Sequence, residues 1–138
     1  MRRDDGSVLI EFALSLSVLF GFLFCFMELC LMSYSHSLIS ELAREGTRYA
    51  MVRGATCPNA SSPTCEASAS SVNTYVAGFG LPNPGGGAIT VATTYPDGNE
   101  AVGSRVQVKV SYVFKTTLPL VPAKNLTMAS TSVAYIVQ

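Results

Sequence analysis

The chain has 138 residues, 49% of them hydrophobic and 13% charged, with nine basic and nine acidic side chains and a mean hydropathy of +0.35. That length holds one modest domain, and the composition is oily for a soluble one. A net charge of zero, with the basic residues gathered in no run or stripe, gives no electrostatic footprint for nucleic acid.

Most of the apolar excess is at the N-terminus. Val8 to Met32 contains no Pro, Lys or Arg, and as a helix it would run roughly 37 Å, enough to cross a bilayer core of about 30 Å. A single membrane-spanning helix is the expectation. A cleaved secretory signal fits less well, because its apolar region is usually about 7–15 residues and a small-x-small site follows it. Here the run is longer and leads into SYSHSLISEL. A twin-arginine signal is also disfavoured, since Arg2-Arg3 is followed by DDGS. Arg2 and Arg3 precede the span and the next basic residue is Arg44, so the positive-inside rule places the N-terminus in the cytoplasm and the body outside.

Beyond Met32 the helical pattern continues without proline to about Arg53, giving one helix of roughly 70 Å. Leu38 and Leu42 stack at four-residue spacing, and Ile39, Ala43, Gly46 and Ala50 form an adjoining smooth stripe. On the wet side, Glu41 with Arg44 and Glu45 with Arg48 stand three apart, within reach of modest ion pairing. Glycine costs about 1 kcal/mol in a helix, so Gly46 marks a place where something, such as the protein's own sheet, packs closely. GATCPNASSP reads as loop, followed by a short helix with Ser62 as cap, Pro63 in its first turn and Val72, Tyr75, Val76 and Phe79 as its buried stripe. GLPNPGGG then interrupts regular structure.

The last third is strand-like. Ala88 to Tyr95 is rich in β-branched residues, and Pro96-Asp97-Gly98-Asn99 marks a turn. In RVQVKVSYVF, Val106, Val108, Val110, Tyr112 and Phe114 share one face, while Gln107, Lys109 and Ser111 share the other. TTLPLVPAKN, with Pro119 and Pro122, reads as an exposed connection. The final strand carries Ala129, Val133, Tyr135 and Val137 on one side. The expected fold class is α+β: a long N-terminal helix whose outer half carries a short second helix and a small antiparallel sheet of about three strands.

Cys25 and Cys30 fall in the apolar run and are read as buried, reduced, small hydrophobes. Cys57 and Cys65 flank the outer loop, where a disulfide is favoured over two free thiols in an oxidising compartment. His36 is the only histidine, so neither a metal site nor any other cofactor is expected.

Glu11 is the anomaly, because an ionised, unpaired carboxylate in a bilayer costs several kcal/mol and usually marks a site with a partner. Its bland explanation is that it lies close enough to the inner surface to reach water. Its setting is Gly6-Ser7-Val8-Leu9-Ile10-Glu11-Phe12, which resembles the signal of type IV pilin precursors. In that family a membrane-embedded aspartyl peptidase cuts after the glycine, leaving Glu as the fifth mature residue before an aromatic. By resemblance Ser7 becomes residue one, and its new amine is available to pair with Glu11 of a neighbouring subunit. The absent Cβ of Gly6 lets a peptidase approach the backbone closely.

The chain is further similar to the TadE-like pseudopilins of the tight-adherence (Tad, Flp) pilus system. The features are the Gly6 to Phe12 start, Glu28 near the outer end of the span, and Ala43-Arg44-Glu45-Gly46-Thr47-Arg48-Tyr49-Ala50. The resemblance implies a leader at 1–6, a membrane half at 7–32, a periplasmic half of the helix at 33–53 and a small periplasmic domain at 54–138. It also implies an inner-membrane protein with prepilin peptidase, other pilins or pseudopilins, the inner-membrane assembly platform and membrane lipid as partners. Such a subunit works as part of a hetero-oligomer in adherence and biofilm formation.

Smaller signals carry bland readings. Glu28 most simply reaches the headgroups, the Ser17–Gly21 pair recurs by accident, and Asn59-Ala-Ser and Asn125-Leu-Thr are read as ordinary loop residues. The competing functional class is an unprocessed, membrane-anchored periplasmic binding or adhesion module. An enzyme is not expected: no nucleophile elbow or phosphate loop occurs, and Glu66, Asp97 and Glu100 form no paired pattern.

Overall fold

The computed structural model describes residues 4–55, 65, 67–79, 87–116 and 125–137. Helix α1 runs Asp4–Met51, 48 residues in all and about 72 Å long. It is one uninterrupted rod because no proline falls within it. It stops two residues short of the expected Arg53, whose amide turns back to the Ala50 carbonyl at 3.1 Å before Gly54. Helix α2 spans Ala69–Ala77. Ser62 and Pro63, the expected start of this helix, lie outside the described residues. The cap of the described helix is Ser68, whose Oγ accepts the Ser71 amide at 3.3 Å, which satisfies one donor of the first turn.

Three strands follow, β1 Ile89–Thr94, β2 Arg105–Lys115 and β3 Asn125–Tyr135, forming an antiparallel sheet in the order β1-β2-β3. The expected turn after β1 is present. Gly98 adopts φ 74° there and donates to the Tyr95 carbonyl at 3.0 Å, a backbone conformation that glycine accepts without a steric cost. The Pro119 and Pro122 connection falls within 117–124, outside the described residues.

The sheet lies on the outer half of α1, with α2 beside it over β1. Val106, Val108, Val110, Tyr112 and Phe114 are buried against Ile39, Leu42, Ala43 and Ala50 of α1, so the alternation in β2 and the smooth stripe of α1 are two sides of one core. Val72 and Val76 of α2 close it, and Thr93 Oγ1 donates to Asn73 Oδ1 at 2.8 Å, tying α2 to β1. In β3 the side carrying Ala129, Val133, Tyr135 and Val137 faces outward, while Met128 and Ile136 are buried. The reason is register: Val106 pairs with Ala134 and Tyr112 with Met128, so the even-numbered residues of β3 share the core face of β2.

Candidate functional site

Two parts of α1 carry the features singled out in the sequence, and the structure treats them oppositely. Gly6, Ser7, Glu11 and Phe12 lie on its first turns, all exposed, with Phe12 at 64%. Ser7 and Glu11 are four apart, so they share one side of the helix about 6 Å apart along its axis. A Cβ added at Gly6 meets nothing within 4 Å. Among the described residues nothing in the packing therefore requires glycine there, although glycine weakens a helix by about 1 kcal/mol relative to alanine.

From Val8 to Leu29 the large apolar side chains stay exposed, and none of the most apolar stretch of α1 is covered by the rest of the protein. This helix is long and apolar enough to cross a membrane. Cys25 and Cys30 are free thiols. Their expected burial is not supplied by the protein, since both are exposed on the bare part of the helix. Ser17 Oγ donates to the Ala13 carbonyl at 2.8 Å, and the space beside Gly21 is open. Glu28 is partly covered and has a partner.

The Ala43–Arg48 segment is divided by the helix period. Ala43, Gly46 and Thr47 face the core, whereas Arg44 and Arg48 point outward. Arg44 pairs with Glu41 at 3.3 Å and Arg48 with Glu45 at 3.9 Å, and all four are too exposed for the pairs to add much stability. Gly46 is the contact point: a Cβ there would lie 2.7 Å from Val76 Cγ2 and 3.1 Å from Val108 Cγ1. The close neighbour expected from the sequence is thus both the sheet and α2.

Other contacts were not read from the sequence. The Arg53 guanidinium sits 3.9 Å above the Tyr49 ring, Tyr49 stacks on Tyr75 at 4.0 Å, and Tyr75 meets Phe79 edge-on at 5.1 Å. The four-residue spacing of Tyr49 and Arg53 was the available signal. Phe79 does not belong to the buried stripe expected for α2; it is 42% exposed because the helix ends two residues earlier, at Ala77. With Tyr34, Leu38 and Leu42 it borders an open groove of about 440 Å³.

After β1, Arg105 donates to both carboxylate oxygens of Asp97, at 2.7 and 3.2 Å, and its amide donates at 2.8 Å. The side-chain and backbone bonds from Arg105 hold the Asp97 pKa down at about 2.

Cys57 lies outside the described residues; Cys65 is described and is not free. Among the described residues no three His, Cys, Asp or Glu side chains gather as a metal site.

Compared with known proteins, residues 6–48 match the family model described as TadE-like protein. The match covers less than half of the chain, and every matched residue belongs to α1. No curated protein and no solved structure matches the chain. Over that helix, from the open site at Gly6 to the packed one at Gly46, the chain is similar to the TadE-like family.

Proposed function

We propose that this protein is a structural, non-enzymatic subunit of a Tad pilus. In this reading it is a minor pilin or pseudopilin that is inserted in the inner membrane, cut after Gly6 by a prepilin peptidase, and assembled through α1. The observation that carries the reading is the contrast along that helix. Gly6 and Glu11 stand on a bare, apolar rod where, among the described residues, nothing packs beside a Cβ at Gly6 and Glu11 is exposed, which supports a role for both toward other molecules.

Cleavage would create an amine on Ser7 with an ordinary pKa of about 7.7–8.0, mostly protonated at neutral pH. An ionised carboxylate costs about 2.5–3.5 kcal/mol at the centre of a spanning helix and less near the inner surface, where Glu11 lies. Glu11 offsets that cost by meeting the Ser7 amine of the next subunit, which neutralises two charges as the helices pack. The outer domain faces the periplasm, with the N-terminus in the cytoplasm. Other pilins and the assembly platform contact α1, lipid covers the remainder, and a Cys57–Cys65 disulfide secures the loop after the helix. Adherence to surfaces is the downstream role.

The test is Glu11→Val. The variant should insert in the membrane as the parent does, because the span becomes more apolar, yet fail to enter pili in cells. Incorporation at the parent level would remove the charge-pairing argument.

A further inference from the structure

We propose that the end of the sheet carrying Lys115, Asn125 and Leu126 is seated in the outer lipid surface of the membrane that α1 spans, with phospholipid headgroups and upper acyl chains as its partner. The level of that end follows from where the strands meet the helix. At the far end the Val137 amide donates to the Met51 carbonyl at 3.0 Å, so β2 descends α1 from Arg105 toward Lys115 and β3 climbs back. Partway down, Val108 lies against Gly46, where an added Cβ would be 3.1 Å from its Cγ1. From Val108 to Phe114 the strand covers about 20 Å, the rise of about 13 helical residues. Phe114 and its cross-strand partner Leu126 therefore stand at about the level of Ser33. Packing agrees, since Leu31 and Met32 lie against the buried cluster that includes Phe114. The apolar run of α1 ends at Met32, so the sheet reaches down to the height at which the span leaves the hydrocarbon core.

The groups exposed at this level suit lipid. Leu126 is 42% exposed, and Tyr34 of α1 is exposed as well; an amphipathic tyrosine ring is at home in the membrane interface. Lys115 is exposed at the tip of β2, and its ammonium, on a long flexible stem, can rise to lipid phosphates. Within the described strands it is the only charge at this end. β1 and β3 carry none, and Arg105 stands at the opposite end, paired with Asp97 at 2.7 Å.

The occupant is set by the connectivity of the chain. The sheet packs on the same uninterrupted helix that forms the span, so the medium surrounding α1 at Met32 also meets Leu126, and in a membrane that medium is lipid. The inference rests on α1 being the membrane anchor and is independent of cleavage after Gly6.

The chain has no tryptophan, so a single introduced one reports depth without background. Leu126→Trp, Tyr135→Trp and Phe20→Trp are made in the full-length protein and reconstituted separately, with no other protein, in phosphatidylcholine–phosphatidylglycerol vesicles containing lipid spin-labelled at a shallow or a deep acyl position. Tyr135 is exposed and about 30 Å from Leu126 along β3. The expected result is blue-shifted emission from Leu126→Trp and quenching by the shallow label at least about threefold greater than for Tyr135→Trp, which aqueous iodide quenches instead. Lys115→Trp, at an exposed side chain outside the core, should behave as Leu126→Trp does, and the parent's Tm in each variant establishes that it is folded. Iodide quenching at positions 126 and 115 equal to that at 135, with lipid quenching confined to Phe20→Trp, would overturn the proposal while leaving the anchor in place. Loss of lipid quenching from Phe20→Trp as well would overturn the anchor reading and the inference with it.

Discussion

Gly46→Ala sets two effects of opposite sign against each other. In an isolated helix alanine is better than glycine by about 1 kcal/mol, and an open site would show that gain. At position 46 the new methyl would lie 2.7 Å from Val76 Cγ2 and 3.1 Å from Val108 Cγ1. Both valines are buried, at 2% and 0% exposure, and their branched side chains have little rotamer freedom with which to retreat. Overpacking of this kind costs about 1–3 kcal/mol, so the net change is about 0–2 kcal/mol of destabilisation. For an outer domain of 60–100 residues each 1 kcal/mol lowers Tm by roughly 4–8 °C. Thermal unfolding of the full chain in detergent reads this directly. Gly21→Ala is the control, because nothing lies within 4 Å of its Cβ. Adding Val76→Ala to Gly46→Ala should cost less than Val76→Ala does alone, since the methyl then fills the vacated space. Clear stabilisation by Gly46→Ala alone would refute the claim that this glycine is required by packing.

The remaining predictions probe other contacts. Asp97 has its pKa lowered from 3.8 to about 2 by the Arg105 bonds, so its contribution is fully present above about pH 4 and disappears as pH falls through 2. The Tm difference between the parent and Asp97→Asn should therefore be constant above that range and shrink on acidification; growth of the difference in acid would contradict the sign. Phe114→Ala, at a side chain 1% exposed in the core, should cost about 3–5 kcal/mol in guanidinium unfolding, and a loss below 1 kcal/mol would deny it that place. Arg44→Ala removes only an exposed pair and should change stability by less than about 0.5 kcal/mol.

What could be read from the sequence depended on how one-sided each element is. β2 is central and covered on one face, so its valines alternate with Gln107, Lys109 and Ser111 and its parity is plain. β3 offers small or apolar residues on both sides, and only pairing with β2 reveals that Ile136 rather than Val137 belongs to the core. The start of α2 was obscured by a serine-rich approach in which several residues can serve as caps, with Ser68 filling that position. Gly46 was legible because a helix-weakening residue sat within the apolar stripe of α1. The Tyr49–Tyr75 stack was not, because its partners are far apart in the chain and meet only when α2 folds back on α1. The signal at Gly6 to Phe12 was visible for the opposite reason: its residue types answer to no contact within the fold, so they stand out against their apolar surroundings.

The central claim, that α1 is a processed pilin-type helix, is tested most directly by the N-terminus of protein recovered from pilus-forming cells. Intact-mass and terminal-peptide spectrometry should find a chain that begins with a free amine at Ser7. A chain still carrying Arg2 and Arg3 in material that is assembled and functional would contradict it.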